Sequence, residues 1–202
     1  VAKSNCGQST TGAVWSFTTI CPSPGSFSYT SPSNGATNQA RDVDLDWGDS
    51  SGATSYDVYF GTTNPPPLLT NTASSLYDLG TLNYGATYYW QIVAKNSCSN
   101  ISGLIWSFTT IPCPTPGTPS SPSPSSGATG VLTNPTLSWG VTSNTDSYDV
   151  YFGTASDPPY VGNTTSTSYP LSSLNTNSTY YWKIVAKSNC GQSTTGAVWS
   201  FT

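Results

Sequence analysis

The feature that constrains this 202-residue chain most is that it repeats itself every 92 residues. TSYDVYFGT at 54–62 returns as DSYDVYFGT at 146–154, TYYWQIVAK at 87–95 returns as TYYWKIVAK at 179–187, and Trp47 returns as Trp139. The 18-residue stretch VAKSNCGQSTTGAVWSFT starts at Val1 and again at Val185, 184 residues on, which is twice the period. Self-similarity at a fixed period marks one structural unit used in series. Residues 1–19 are expected to be the last strand of a preceding or neighbouring-subunit repeat, followed by complete repeats at 20–110 and 111–202. A chain that has no Met and starts inside a repeat is expected to be a processed product or a fragment.

Within a repeat, apolar and polar residues alternate between turn signals. Val43, Leu45 and Trp47 face one way and Asp44 and Asp46 the other, and Tyr56, Val58 and Phe60 alternate with Asp57 and Tyr59. A period of two is the mark of a half-buried strand. SSGA, TTNPPP and LNYG interrupt it with residues that favour turns. The reading is all-β, with tandem seven-stranded immunoglobulin-like sandwiches.

Trp47 in the second strand, Tyr56 and Val58 in the third, and Leu82, Tyr88, Ile92 and Ala94 together resemble the fibronectin type III pattern, and Leu174, Tyr180, Ile184 and Ala186 repeat it. The resemblance covers nearly the whole chain, and the ending IWSFTT or VWSFT is similar to repeats found in bacterial surface and secreted proteins. It implies the fold, and it implies that Tyr88 and Tyr180 bond back to backbone near the preceding loop. It also implies that Trp47, Trp90, Trp106, Trp139, Trp182 and Trp199 are core. It implies little about function, because such sandwiches serve many tasks, and no RGD tripeptide is present.

Composition narrows the function by exclusion. With no His, the commonest general base and metal ligand is missing, so triad and His-zinc chemistry fall away. Five basic against nine acidic residues leave no basic patch for nucleic acid. No apolar run approaches the roughly 20 residues of a membrane-spanning helix. No catalytic residue, metal site or cofactor is expected. Asp42, Asp44, Asp46 and Asp49 are an acidic cluster, but the first three become Asn134, Thr136 and Ser138 in the second repeat, which favours a solvated face over calcium or glycosidase chemistry.

Five cysteines follow the repeat: Cys6, Cys98 and Cys190 in one place, Cys21 and Cys113 in the other. Cys98 and Cys113 are separated by a strand of about 23 Å at about 3.3 Å per residue, too far for a bridge. In the topology that the resemblance implies, the approach to the first strand and the loop between the last two strands share a pole. That pairs Cys21 with Cys98 and Cys113 with Cys190, and leaves Cys6 for a partner upstream or in a neighbouring subunit. Regular disulfides point to an extracellular or cell-surface setting.

A lone last strand carrying Val14, Trp15 and Phe17 cannot bury them unaided. Two completions present themselves: a longer covalent array, or strand donation to a neighbouring subunit. Both are head-to-tail contacts of the chain with itself, and both lead to filaments. The linker IPCPTPGTPSSPSPSSG carries six Pro in 17 residues, a stiff extended spacer.

Tyr59 with Tyr89, and Tyr151 with Tyr181, are expected to project outward as an aromatic strip that contacts another subunit or stacks on surface glycans. Asn100, Asn163 and Asn177 fit the N-x-S/T glycosylation pattern. The leading expectation is a non-enzymatic extracellular structural protein, a repeat array forming a fibre, stalk or adhesin shaft. The alternative is a carbohydrate-binding or spacer module of a secreted polysaccharide-degrading enzyme.

Overall fold

The computed structural model describes all residues from 1 to 202. The chain is all-β, with no helix, and so with none long and apolar enough to cross a membrane. It resolves into two compact units, Val1–Leu82 with Thr87–Thr109, and Asn83–Ala86 with Thr110–Thr202.

The chain starts with a two-stranded hairpin, β1 (Ala2–Lys3) against β2 (Ser9–Thr10). The rest of the first unit is built on β3 (Tyr29–Ser31), β4 (Ala36–Gln39), β5 (Leu45–Trp47), β6 (Ser55–Gly61), β7 (Leu68–Thr72), β8 (Leu76–Tyr77), β9 (Thr87–Lys95), β10 (Asn100–Ser102) and β11 (Trp106–Thr110). One sheet runs β3-β5-β8, the other β4-β11-β9-β6-β7, with β10 also on β9. The long strands follow their sequence alternation. In β9, Tyr88, Trp90, Ile92 and Ala94 are buried while the residues between them are half-buried, because successive side chains leave a pleated strand on opposite faces. Rings close the space between sheets: Trp47 of β5 meets Tyr56 of β6 edge-on at 5.5 Å, and Tyr29 of β3 stacks on Trp90 of β9 at 4.4 Å.

The second unit contains β12 (Thr136–Ser138), β13 (Ser147–Gly153), β14 (Tyr160–Thr164), β15 (Ser168–Pro170), β16 (Tyr180–Lys187), β17 (Ser193–Thr195) and β18 (Trp199–Phe201). Sheet β12-β15 packs on sheet β14-β13-β16-β17, where β18 also pairs with β16. Leu137 and Trp139 share one core with Tyr148, Val150, Trp182, Ile184, Trp199 and Phe201. The central pairings are congruent between units. β6 and β9 run from Ser55↔Lys95 to Gly61↔Tyr89 and β13 and β16 from Ser147↔Lys187 to Gly153↔Tyr181, and on the other side β6 with β7 and β13 with β14 each have a register irregularity, at Val58/Tyr59 and at Val150/Tyr151.

The strand count departs from a uniform seven. Each final strand is broken in two, β10 with β11 and β17 with β18. The opening strand is β3 and β4 in the first unit, whereas in the second it shrinks to two isolated bridges, Ser123↔Ser138 and Ala128↔Phe201. Pro122 stands where the first unit has Thr30 and has no N–H to give to a ladder, and Ser121 before it sits at positive φ, 54°, off the extended path, while Ser123 still exchanges hydrogen bonds with Ser138, both at 2.8 Å. Trp106 also differs from expectation. It is half-buried, while its counterpart Trp199 is buried.

Candidate functional site

The two copies of the 18-residue stretch are a comparison made within one molecule. Both fold the same hairpin: Ala2↔Thr10 and Lys3↔Ser9 in one, Ala186↔Thr194 and Lys187↔Ser193 in the other. Ser4 and Ser188 each donate their N–H to the carbonyl of Gln8 and Gln192 at 2.9 Å. Gly7 and Gly191 sit in the turn at positive φ, 74° and 95°, where a side chain is disfavoured. Turn chemistry alone writes this hairpin, whatever surrounds it.

Beyond the hairpin the copies part. In the second, β18 pairs with β16 at Tyr180↔Phe201, Tyr181↔Ser200 and Trp182↔Trp199, and the Trp182 and Trp199 rings lie 4.6 Å apart. In the first, Val14, Trp15 and Phe17 belong to no strand and lie in the open. Trp199 and Phe201 are 7% and 2% exposed; Trp15 and Phe17, in the same sequence, are 91% and 89% exposed. Burying side chains of this size yields about 1.5–3 kcal/mol each. The same 18 residues therefore bury Trp and Phe where β16 lies alongside and leave them exposed at the opening of the chain.

Cys21 is bonded to Cys98 and Cys113 to Cys190, each pair with Cα atoms 6.0 Å apart and 77 residues between them in sequence. Cys6 is a free, exposed thiol in the place that Cys190 holds in the second copy. The tail thus presents a cysteine at the position where its repeat counterpart is bridged.

Tyr59, Tyr89, Tyr151 and Tyr181 are half-buried on their strands. Tyr59 stands opposite Gln91 and Tyr89 opposite Gly61, and likewise Tyr151 faces Lys183 and Tyr181 faces Gly153. Tyr151 finds its ring partner in Tyr160, edge-on at 5.7 Å, with the Lys183 ammonium 5.0 Å from its ring centre. Asn100, Asn163 and Asn177 are exposed, but the Asn163 side-chain amide donates to Asp149 at 2.7 Å, as Asn71 does to Asp57. That acceptor nitrogen is already engaged in a cross-strand bond. Asp57 also binds Lys95 at 2.9 Å. Burial acts to raise the Asp57 carboxyl, but the hydrogen bonds from Lys95 and Asn71 outweigh it and hold the group below its ordinary range.

Sequence reasoning missed Tyr29. Its hydroxyl accepts the Ile92 N–H at 2.9 Å and donates to the Leu104 carbonyl at 2.7 Å, stitching β9 to the gap between β10 and β11. Burial pushes its phenol up to about 12, against the opposing pull of the Ile92 bond. The residue in its place in the second repeat is Ser121, so the repeat gave no signal for it.

No family model matches this chain, and no curated protein matches it. Among solved structures it is similar to the chicken CNTN1 FN1–FN3 domains (15% identity, TM-score 0.38, 88% of this chain and 65% of that one), so the chain spans about two thirds of that structure. It is also similar to Clostridium thermocellum CbhA fibronectin(III)-like modules (14%, TM-score 0.36, 87% and 92%). A third similar structure is FN3tt mut (17%, TM-score 0.32, 44% and 92%).

Proposed function

We propose that this is a non-enzymatic extracellular structural protein. Its fibronectin type III-like sandwiches join head to tail into a fibre, stalk or adhesin shaft, with the opening segment completing a sandwich of a neighbouring repeat or copy. The observation that carries this reading is the contrast between Trp15 and Phe17 in solvent and Trp199 and Phe201 in the core. The same residues are core wherever the other strands of a sandwich lie beside them, which is the property a strand shared between successive units needs. A head-to-tail contact of this kind is heterologous and does not close on itself, so it propagates. Two disulfides stapling the modules suit an oxidising exterior, and Cys6 stands ready to extend the same staple across the junction.

Electron microscopy of native material, with a non-reducing denaturing gel beside it, tests the proposal. Long filaments are the expected result. Filaments that run as one very large chain identify a covalent array, and filaments that separate into single chains on the gel identify donation between subunits. Dispersed particles at every concentration overturn the structural reading.

A further inference from the structure

On the outer face of the larger sheet, three substitutions that are far apart in sequence meet in space. TYYWQIVAK and TYYWKIVAK differ at one position, Gln91 against Lys183. One period apart, Leu68 gives way to Tyr160 and Pro65 to Asp157. In the second unit Tyr151 of β13 stands opposite Tyr160 on one side and opposite Lys183 on the other, so the three residues form one row across β14, β13 and β16. Residues directly opposite one another in a ladder present their side chains on one face. Asp157, from the turn between β13 and β14, joins the row by accepting a hydrogen bond from the Lys183 ammonium at 2.7 Å.

The first unit builds no such group. There Tyr59 faces Leu68 and Gln91, and the Gln91 amide turns the other way, to the Gly103 carbonyl at 2.8 Å. Because the strand pairing is the same in both units, the fold does not require the group that only the second one carries. A surface ion pair adds little to stability, and Asp157 is 90% exposed. Tyr160 packs edge-on with Tyr151 at 5.7 Å and is still 55% exposed. The turn between them is held: Pro158 is buried, and the Phe152 N–H donates to the Pro159 carbonyl at 2.9 Å. Asp157 and Tyr160 thus flank a Pro-Pro step of fixed φ, and little of the group has to be ordered on binding.

The chemistry of the row selects its ligand. An open phenol ring offers a negative π-face, and the Lys183–Asp157 pair sets a donor beside an acceptor with no net charge. An anion would have to displace Asp157 and a cation Lys183, so neither sign is favoured. A neutral pyranose suits both features. Its C–H face is weakly positive and lies flat on a ring, and adjacent hydroxyls, each both donor and acceptor, match the pair. We infer that Tyr160, Lys183 and Asp157 form a binding site for a neutral polysaccharide, with one sugar ring resting on Tyr160 and hydroxyls of the same polymer shared by Lys183 and Asp157. Tyr151 is a positioning residue: it braces Tyr160 and holds the Lys183 ammonium 5.0 Å from its own ring centre. The site is independent of how chains join, and its failure would leave the fibre reading untouched.

Affinity electrophoresis of the full chain tests this, in native gels cast with hydroxyethylcellulose, xyloglucan, glucomannan or dextran, and in one cast with anionic polygalacturonate. The expected result is retarded migration in at least one neutral gel. Tyr160→Leu, which installs the residue that the first unit carries there, is expected to weaken that binding at least about tenfold, while Tyr160→Phe, which keeps the ring, holds it. Lys183→Gln, again the first unit's residue, is expected to weaken it as well. Urea unfolding of each variant, expected at the parent's midpoint, separates lost binding from lost fold. No retardation in any neutral gel overturns the site, and so does retardation that Tyr160→Leu leaves unchanged. Retardation confined to polygalacturonate overturns it in favour of an anion site.

Discussion

Tyr29 and Gly103 are fitted to each other: a β-carbon on Gly103 would run into the Tyr29 hydroxyl, which lies over that glycine on its way to the Leu104 carbonyl. The second repeat solves the same place differently. There a β-carbon on Gly196 would meet Pro119 at 3.1 Å, with no hydroxyl involved. A broken last strand needs a glycine at the break in both repeats, and what fills the space above it is a local choice.

Replacing Tyr29 with Phe is expected to cost about 1–3 kcal/mol, since it strips a partner from the Ile92 N–H and the Leu104 carbonyl. Gly103→Ala is expected to cost a similar amount by overpacking. A double-mutant cycle of Gly103→Ala with Tyr29→Ser measured by urea unfolding checks the fit. The pair should be less costly than the sum, and simple additivity would show that the two residues are not coupled.

The same tyrosine sets an alkaline dependence. Its folded-state phenol is raised from 10.0 to about 12, chiefly by burial, so the folded chain holds that proton more tightly than the unfolded one. The associated stability is fully present below pH 10 and is lost as pH rises from about 10 to about 12. Urea midpoints of the parent and of Tyr29→Phe at about pH 8 and about pH 11 test this. The advantage of the parent should shrink at the higher pH, and a constant difference would contradict it.

Identical sequence allows an internal control on burial. Phe201→Ala is expected to destabilise the second unit by about 3–5 kcal/mol, while Phe17→Ala, at a residue already in solvent, should leave the unfolding midpoint of the dispersed chain unchanged. Assembly should reverse the ranking for Phe17. Its loss is expected to abolish filaments seen by electron microscopy, and filaments that persist in Phe17→Ala would remove that residue from the contact.

Thiol labelling separates the cysteines. Iodoacetamide under native, non-reducing conditions should modify Cys6 in the dispersed chain and leave Cys21, Cys98, Cys113 and Cys190 untouched, as peptide mapping by mass spectrometry reads out. Replacing Cys98 with Ser is expected to lower stability by about 2–4 kcal/mol, given the long loop that the bridge closes. Labelling of Cys98 without reduction would refute the bridge.

Much of the architecture was legible in the sequence because period-two alternation is a direct consequence of the pleat. Tyr56 and Val58 could be assigned inward from alternation and are buried, while Phe60 of the same series is half-buried; Tyr88, Trp90, Ile92 and Ala94, which the fibronectin type III resemblance placed inward, are buried too. The hairpins at Gly7 and Gly191 are local too, with glycine at positive φ in each turn, although residues 1–19 were read as a last strand and not as a hairpin. Other features depended on which chain segment lies alongside. Tyr151 meets Tyr160 because β14 brings it there, and Tyr29 crosses between sheets at a position that the repeat does not preserve. The plainest case is the duplicated stretch itself. Its sequence specifies a strand with Trp and Phe on one face, but not whether that face is covered. Burial depends on the other strands being present, so the same residues are core beside β16 and bare at the opening of the chain.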